Sequence, residues 1–183
     1  MANGLLLKKA QNAITAHDWS TAAKLYKEFL RADESNVEYI QQLGSIYVRA
    51  GQDEKAIPYY EKIISLNENN TEAMVSLGGI FRRLKRYEDS VNILHKAQKI
   101  SADDASINYS LGFTYKEMGA YEDAVDAFES VISRNPNDVL AHNHLGSIHF
   151  AKKDYNSAIS AFKCGLQVDQ NHPILNYNLA HVY

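Results

Sequence analysis

His142, His144 and His149 fall within nine residues, in the stretch HNHLGSIHF, and make up three of the chain's seven histidines. Clustered imidazoles can ligate zinc or another transition metal, so their spacing decides what they can do. On a helix, His142 and His149 share a face but stand about 10 Å apart along the axis. Ligands of one zinc each lie about 2 Å from it, so this pair cannot share a metal. His144 points elsewhere, and no two histidines are four residues apart. Cys164 is the one cysteine, which excludes an internal disulfide and any site built on several thiolates. No P-loop or dinucleotide fingerprint occurs, and no motif sets a nucleophile beside a base. The sequence therefore predicts no metal, no cofactor and no catalytic residues: the chain by itself is not an enzyme.

The elements that carry these histidines repeat. LGSIY at 43–47 returns as LGGIF at 77–81, LGFTY at 111–115, LGSIH at 145–149 and LAHVY at 179–183, each step being 34 residues. A period of this length marks a stack of identical supersecondary units. Counted from Asn3, the repeats span 3–36, 37–70, 71–104, 105–138 and 139–172, with a partial sixth at 173–183. Position 8 is always small: Ala10, Gly44, Gly78, Gly112, Gly146 and Ala180. Position 20 is a second small column, Ala22, Ala56, Ser90, Ala124 and Ala158. Position 24 is bulky: Tyr26, Tyr60, Leu94, Phe128 and Phe162. Position 17 is aromatic in Trp19, Tyr87, Tyr121 and Tyr155.

Within each repeat, apolar residues recur every three and four positions, which predicts two amphipathic helices. Gly51 and Gly119 stand at breaks between halves, where a left-handed residue can end a helix. Asn- and Asp-rich turns between repeats (DESN, NENN, ADD, NPND) offer caps for the next helix. Pro173 suits a first helical turn. Pro58 lies near the fifth residue of its helix and is expected to delay or kink it.

The period, the helix pairs and the small, aromatic and proline columns resemble the tetratricopeptide repeat family, over essentially the whole chain. The fourth repeat fits most fully, with Leu111, Gly112, Tyr115, Ala124, Phe128 and Pro136 in place; the first departs most, with Lys9 for leucine and Ala13 for tyrosine. The resemblance implies an all-α, right-handed helical-hairpin solenoid: a superhelix of five full repeats plus the first helix of a sixth, forming a single array over 1–183. It also implies that the first helix of each pair lines a concave, partner-binding surface. Family members that hold chaperone C-termini use lysine, asparagine and arginine at set positions. The registers starting at Gln41 and Ser45, Val75 and Gly79, and Tyr109 and Phe113 lack that set, so no such activity is expected.

On the first helix, positions 4, 7, 8 and 11 must face the core, which leaves 2, 5, 6, 9, 12 and 13 for a partner. The candidate groove residues are Arg49, Arg82, Arg83, Tyr109, Phe113, Lys116, Leu140, Asn143, Phe150 and Tyr177. Tyr109, Phe113, Leu140 and Phe150 read as apolar side chains the core cannot use. FRRLKR at 81–86 reads either as a solvated helix end or as a basic wall for an acidic, extended peptide.

Net charge is −3, and the fourth repeat carries six acidic residues against two basic ones, which argues against nucleic acid. No run approaches the ~20 apolar residues of a membrane span, and the N-terminus lacks the order of a secretory signal, so a cytoplasmic protein is expected. The function expected is a protein-interaction scaffold binding a peptide or protein segment with acidic and apolar groups. The alternative is a regulatory arm of a longer enzyme whose catalytic domain would follow Tyr183. The last helix, 173–183, is expected to leave Leu175, Leu179 and Val182 as an uncovered edge suited to self-association.

Overall fold

The computed structural model describes residues 2–183, with side chains from residue 4 onward. Eleven α-helices and no strand occur among the described residues. They form two compact units, Met1–Ile100 and Ser101–Tyr183. The first holds α1 (Ala2–Thr15), α2 (Trp19–Ala32), α3 (Val37–Arg49), α4 (Asp53–Leu66), α5 (Thr71–Arg83) and α6 (Tyr87–Ile100). The second holds α7 (Ala105–Met118), α8 (Tyr121–Arg134), α9 (Val139–Ala151), α10 (Tyr155–Val168) and α11 (Pro173–Val182).

Each hairpin closes on one contact. Position 8 of the first helix meets the bulky residue sixteen positions later on the second. A methyl group added at Gly44 would stand 2.9 Å from the Tyr60 ring, and one at Gly78 2.8 Å from Leu94. At Gly112 and Gly146 it would lie 2.6 Å from Phe128 and 2.5 Å from Phe162. The rings therefore rest on bare backbone. The small residues of position 20 complete the seam, fully buried in all five repeats. Ser90 keeps the column small by donating its hydroxyl to the Gly78 carbonyl at 2.9 Å, which satisfies a polar group in a dry place.

The turns between paired helices are identical in geometry but not in sequence. His17, Gly51, Lys85, Gly119 and Lys153, each 34 residues from the next, all adopt positive φ between 56° and 79°. The residue after each donates back across the turn, as Gln52 N–H does to Tyr47 O at 2.9 Å and Arg86 N–H to Phe81 O at 2.8 Å. That bond pattern is the Schellman ending of a helix. Gly51 and Gly119 were legible as such. The other three positions carry side chains in a backbone region that costs an L-residue about 1–2 kcal/mol.

The expected caps are present: Asn36, Asn70, Asp104 and Asp138 each accept a backbone N–H from the first turn they precede. His172 does the same for α11 through Nδ1, at 3.3 Å from Leu175 N. Pro58 corrects one expectation. Its helix starts at Asp53, at the same position as every other second helix. The accommodation lies in the first turn, where Lys55 N–H reaches back only three residues to Gln52 O. The equivalent bonds elsewhere span four, as from Ala22 N to Asp18 O.

The last helix is a second correction. Leu175 is fully buried, and Leu179 and Val182 pack against Phe162 and Ala158. Leu175 is thus no part of an open edge, since α11 lies on α10 and α9, while Leu179 and Val182 are half-buried. The large apolar side chains exposed on it are Ile174 and Tyr177, with Tyr183 exposed just after it.

Two substitutions test this account by denaturant unfolding. Gly112→Ala forces a methyl against the buried Phe128 ring and should destabilise by about 1–3 kcal/mol. Lys85→Gly should stabilise by up to about 1 kcal/mol, because the native φ no longer strains a Cβ.

Candidate partner-binding surface

In the first unit, the basic run at the end of α5 is largely committed to its own fold. Arg83 grips Asp53 with two bonds, Nε to Oδ2 at 2.8 Å and Nη2 to Oδ1 at 2.6 Å. Asp53 is the residue that breaks the aromatic column at position 17, so the exception there has a partner one repeat on. Arg86 donates to Asp89 at 2.7 Å and lies over the Phe81 ring, 4.5 Å from its centroid. Arg82 is half-buried, while Arg49 and Lys85 are exposed. Gln41 donates to Glu72 at 3.1 Å, a bond between first helices of adjacent repeats. The basic wall is thus not a set of idle cations: two of its arginines are held in ion pairs.

In the second unit, the first helices α7, α9 and α11 bring most of the candidate residues together. Tyr109 and Phe113, one turn apart on α7, stack with centroids 6.1 Å apart. Both meet Phe128 edge-on, at 5.8 and 5.6 Å. His144 from α9 completes the group, stacked on Phe128 at 5.1 Å and edge-on to Phe113 at 4.7 Å. Tyr109 donates its hydroxyl to Asp138, whose same oxygen accepts the Ala141 N–H and caps α9. Burial first, then that carboxylate, push the Tyr109 hydroxyl above its ordinary pKa.

Tyr109 and Phe113 therefore correct the expectation that the core cannot use them. Both are half-buried and pack against Ala124, Phe128 and Ile148. Phe150 is half-buried too, against Tyr155 at 5.7 Å and His181 at 5.5 Å. The reason is that first helices of successive repeats touch through their side chains, so the predicted partner face is partly consumed as a seam. Asn143 follows the same logic: it is 9% exposed, and its Oδ1 accepts from Asn178 Nδ2 at 2.8 Å. Lys116 is half-buried beside His144. What remains open is Leu140, Ile174 and Tyr177, which are 54%, 55% and 70% exposed. Of these, Ile174 occupies the outward position 2 of the last first helix and repeats Leu140 one period later.

The other two clustered histidines have structural neighbours. His142 is buried and its Nε2 donates to Pro136 O at 2.9 Å, which fixes the tautomer. His149 takes the aromatic column's place, with Nδ1 3.7 Å from Asp154. Among the described residues no group of three or more His, Cys, Asp or Glu side chains converges as a metal site would require. No helix among them is long and apolar enough to cross a membrane.

Two profiles of the tetratricopeptide repeat match the chain, one over residues 109–164 and one over 37–70. No curated protein matches it. Among solved structures, a crystal structure of MamA is 28% identical, superposes with a TM-score of 0.79, and covers 88% of this chain and 95% of its own. MamA from Desulfovibrio magneticus reaches a TM-score of 0.80 at 21% identity, covering 93% and 96%. A tetratricopeptide repeat protein from Parabacteroides merdae reaches 0.85 at 18% identity, covering 98% of this chain and 72% of that one.

The His144 stack has a pH consequence. Burial, and then the Lys116 charge, hold its imidazole below the usual 6.5, with Asp138 opposing them. The unfolded chain thus takes up this proton at a higher pH than the folded one, and stability is lost as pH falls from about 6.5 toward the folded pKa. Replacing the ring by His144→Phe should remove that part of the loss. Thermal melts of both proteins on either side of this window would show a smaller acid shift for the variant. An equal shift would place the titrating group elsewhere.

Proposed function

The chain belongs to the tetratricopeptide repeat family, and from that we propose that it is a non-catalytic scaffold binding an extended protein segment on the α7–α9–α11 side of its second unit. The observation that carries this is the exposure of three large apolar side chains, Leu140, Ile174 and Tyr177, beside the Asn143–Asn178 amide pair. Exposed tyrosine and aliphatic side chains next to positioned amides suit a bound chain: the apolar groups supply contact area and the amides can pair with its backbone. Tyr177 is stacked on His181 at 6.2 Å, and His181 in turn lies 5.5 Å from Phe150.

The charge of that surface sharpens the partner. Across α7, α9 and α11 the Lys, Arg, Asp and Glu residues amount to Lys116 and Glu117, one of each sign. A segment matched to it is apolar and nearly neutral. The acidic groups expected for a partner have less to meet here, and two of the three arginines that suggested them are paired with Asp53 and Asp89 in the first unit.

Selection of displayed random peptides on the protein tests the reading. The retained peptides should share apolar side chains and bind in the same way at low and moderate salt. Leu140→Ser with Tyr177→Ala should weaken them about tenfold or more, without lowering the melting temperature, since both side chains are exposed. Unchanged affinity of the folded double variant would move the site off these three helices.

A further inference from the structure

A second surface, in the first unit and away from the first-helix face, has the chemistry of an anion site. A cleft of ≈ 400 Å³ opens where α2 and the start of α4 flank the end of α3. Three ammonium groups line it: Lys24, Lys27 and Lys55. Among the described residues that line it none is acidic, and Glu28, one turn beyond Lys24, is not among them. Ser20 and Gln52 add neutral hydrogen-bonding groups, and Trp19 and Tyr47 supply aromatic walls.

Two of the lysines are positioned rather than loose. Lys27 Nζ lies 5.6 Å from the centroid of the Tyr47 ring, and its hydrogen bond with Tyr47 raises its pKa. Lys55 Nζ donates to Gln52 Oε1 at 3.0 Å. Held in this way, both ammoniums lose less freedom on meeting a ligand.

The strict period supplies an internal control. One repeat further on, the positions of the three lysines carry Pro58, Glu61 and Asp89. Two repeats on they carry Asn92, His95 and Asp123, and three repeats on Asp126, Glu129 and Ser157. Four repeats on, the first two positions carry Ser160 and Lys163, so no other repeat sets more than one cation at this register. Three cations at one register, in a chain of net charge −3, are therefore a feature of this cleft and not of the fold.

We propose that this cleft binds a phosphomonoester carried on a small apolar or aromatic group. Lysine ammoniums act as point charges on phosphate oxygens, and three of them match a dianion better than a single carboxylate. The indole of Trp19, half-exposed at the wall, gives the carrier a surface to lie on. The cleft lies within the range of small-ligand pockets and exceeds what a bare ion would fill.

Trp19 is the chain's one tryptophan, so its fluorescence reports this cleft alone. The full chain would be titrated with phenyl phosphate, with phenol as the uncharged control, and with a short glycine-flanked phosphotyrosine peptide. A saturable change is expected with the phosphorylated probes and none with phenol. Lys24→Gln or Lys27→Gln should each weaken binding about tenfold, the loss of one charge-assisted bond. Lys27→Arg should bind nearly as well as the parent. Tighter binding of the peptide than of phenyl phosphate would assign the site to a phosphorylated side chain of a partner; equal or weaker binding would assign it to a free phosphorylated compound. The absence of a saturable change with either phosphorylated probe would overturn the proposal, as would full affinity in both glutamine variants.

Discussion

The contact between a glycine backbone and a ring sixteen residues later sets the dimensions of each hairpin. Phe128 over Gly112 and Phe162 over Gly146 leave no space for even a methyl group, so the two helix axes approach as closely as side chains allow. This closeness explains the second small column, since residues such as Ala124 and Ala158 sit in the same narrow gap. It also explains why the bulky column tolerates Tyr60, Leu94 and Phe128 alike: each is a flat or branched group placed against bare backbone. A packed seam of this kind is non-directional in chemistry but strict in shape.

Once the seam is fixed, the turn between the helices has one solution. The chain must reverse with a left-handed residue at the same place in every repeat, whatever side chain stands there. Glycine at 51 and 119 takes that conformation freely, while His17, Lys85 and Lys153 are held in it by the packing on either side. The fold was legible because the constraint shows through composition: small, bulky and capping columns recur in register. The left-handed turns were legible at only two of five positions, because an L-residue under tertiary constraint leaves no mark in its identity. Pro58 misled as well. It stands at the sixth residue, past the first turn, and the tightened Lys55–Gln52 bond precedes it in a helix that still starts in register.

The functional surface was harder to read. A helical wheel separates core positions from the rest, and it assigned Tyr109, Phe113, Asn143 and Phe150 to the rest. In the second unit these residues are shared: Tyr109, Phe113 and Phe150 meet the second helix of their own hairpin, and Phe113, Phe150 and Asn143 also touch the first helix of the next repeat. Periodicity within one helix cannot reveal contacts made between repeats, and a pairwise neighbour such as Asn178, 35 residues from Asn143, has no signal in local spacing. Leu140 and Tyr177 stand exposed, as the wheel places them.

In a strict repeat the informative residues are those that break a column, because the fold does not ask for them. Ser90 breaks the alanine column and is explained by the Gly78 carbonyl. Asp53 breaks the aromatic column and is explained by Arg83. His149 breaks the aromatic column of the first helix and faces Asp154 across the turn. The first two breaks are closed within the chain, whereas the buried His149 Nδ1 has no hydrogen-bond partner. The lysines at 24, 27 and 55 are a break of another kind, since no carboxylate among the described residues lines the cleft they share. The apolar side chains at 140, 174 and 177 form a further one: the equivalent positions in the second and third repeats, Glu38, Gln41, Glu72 and Val75, are mostly polar. Departures satisfied internally belong to stability, and departures left open point outward, toward what the molecule binds.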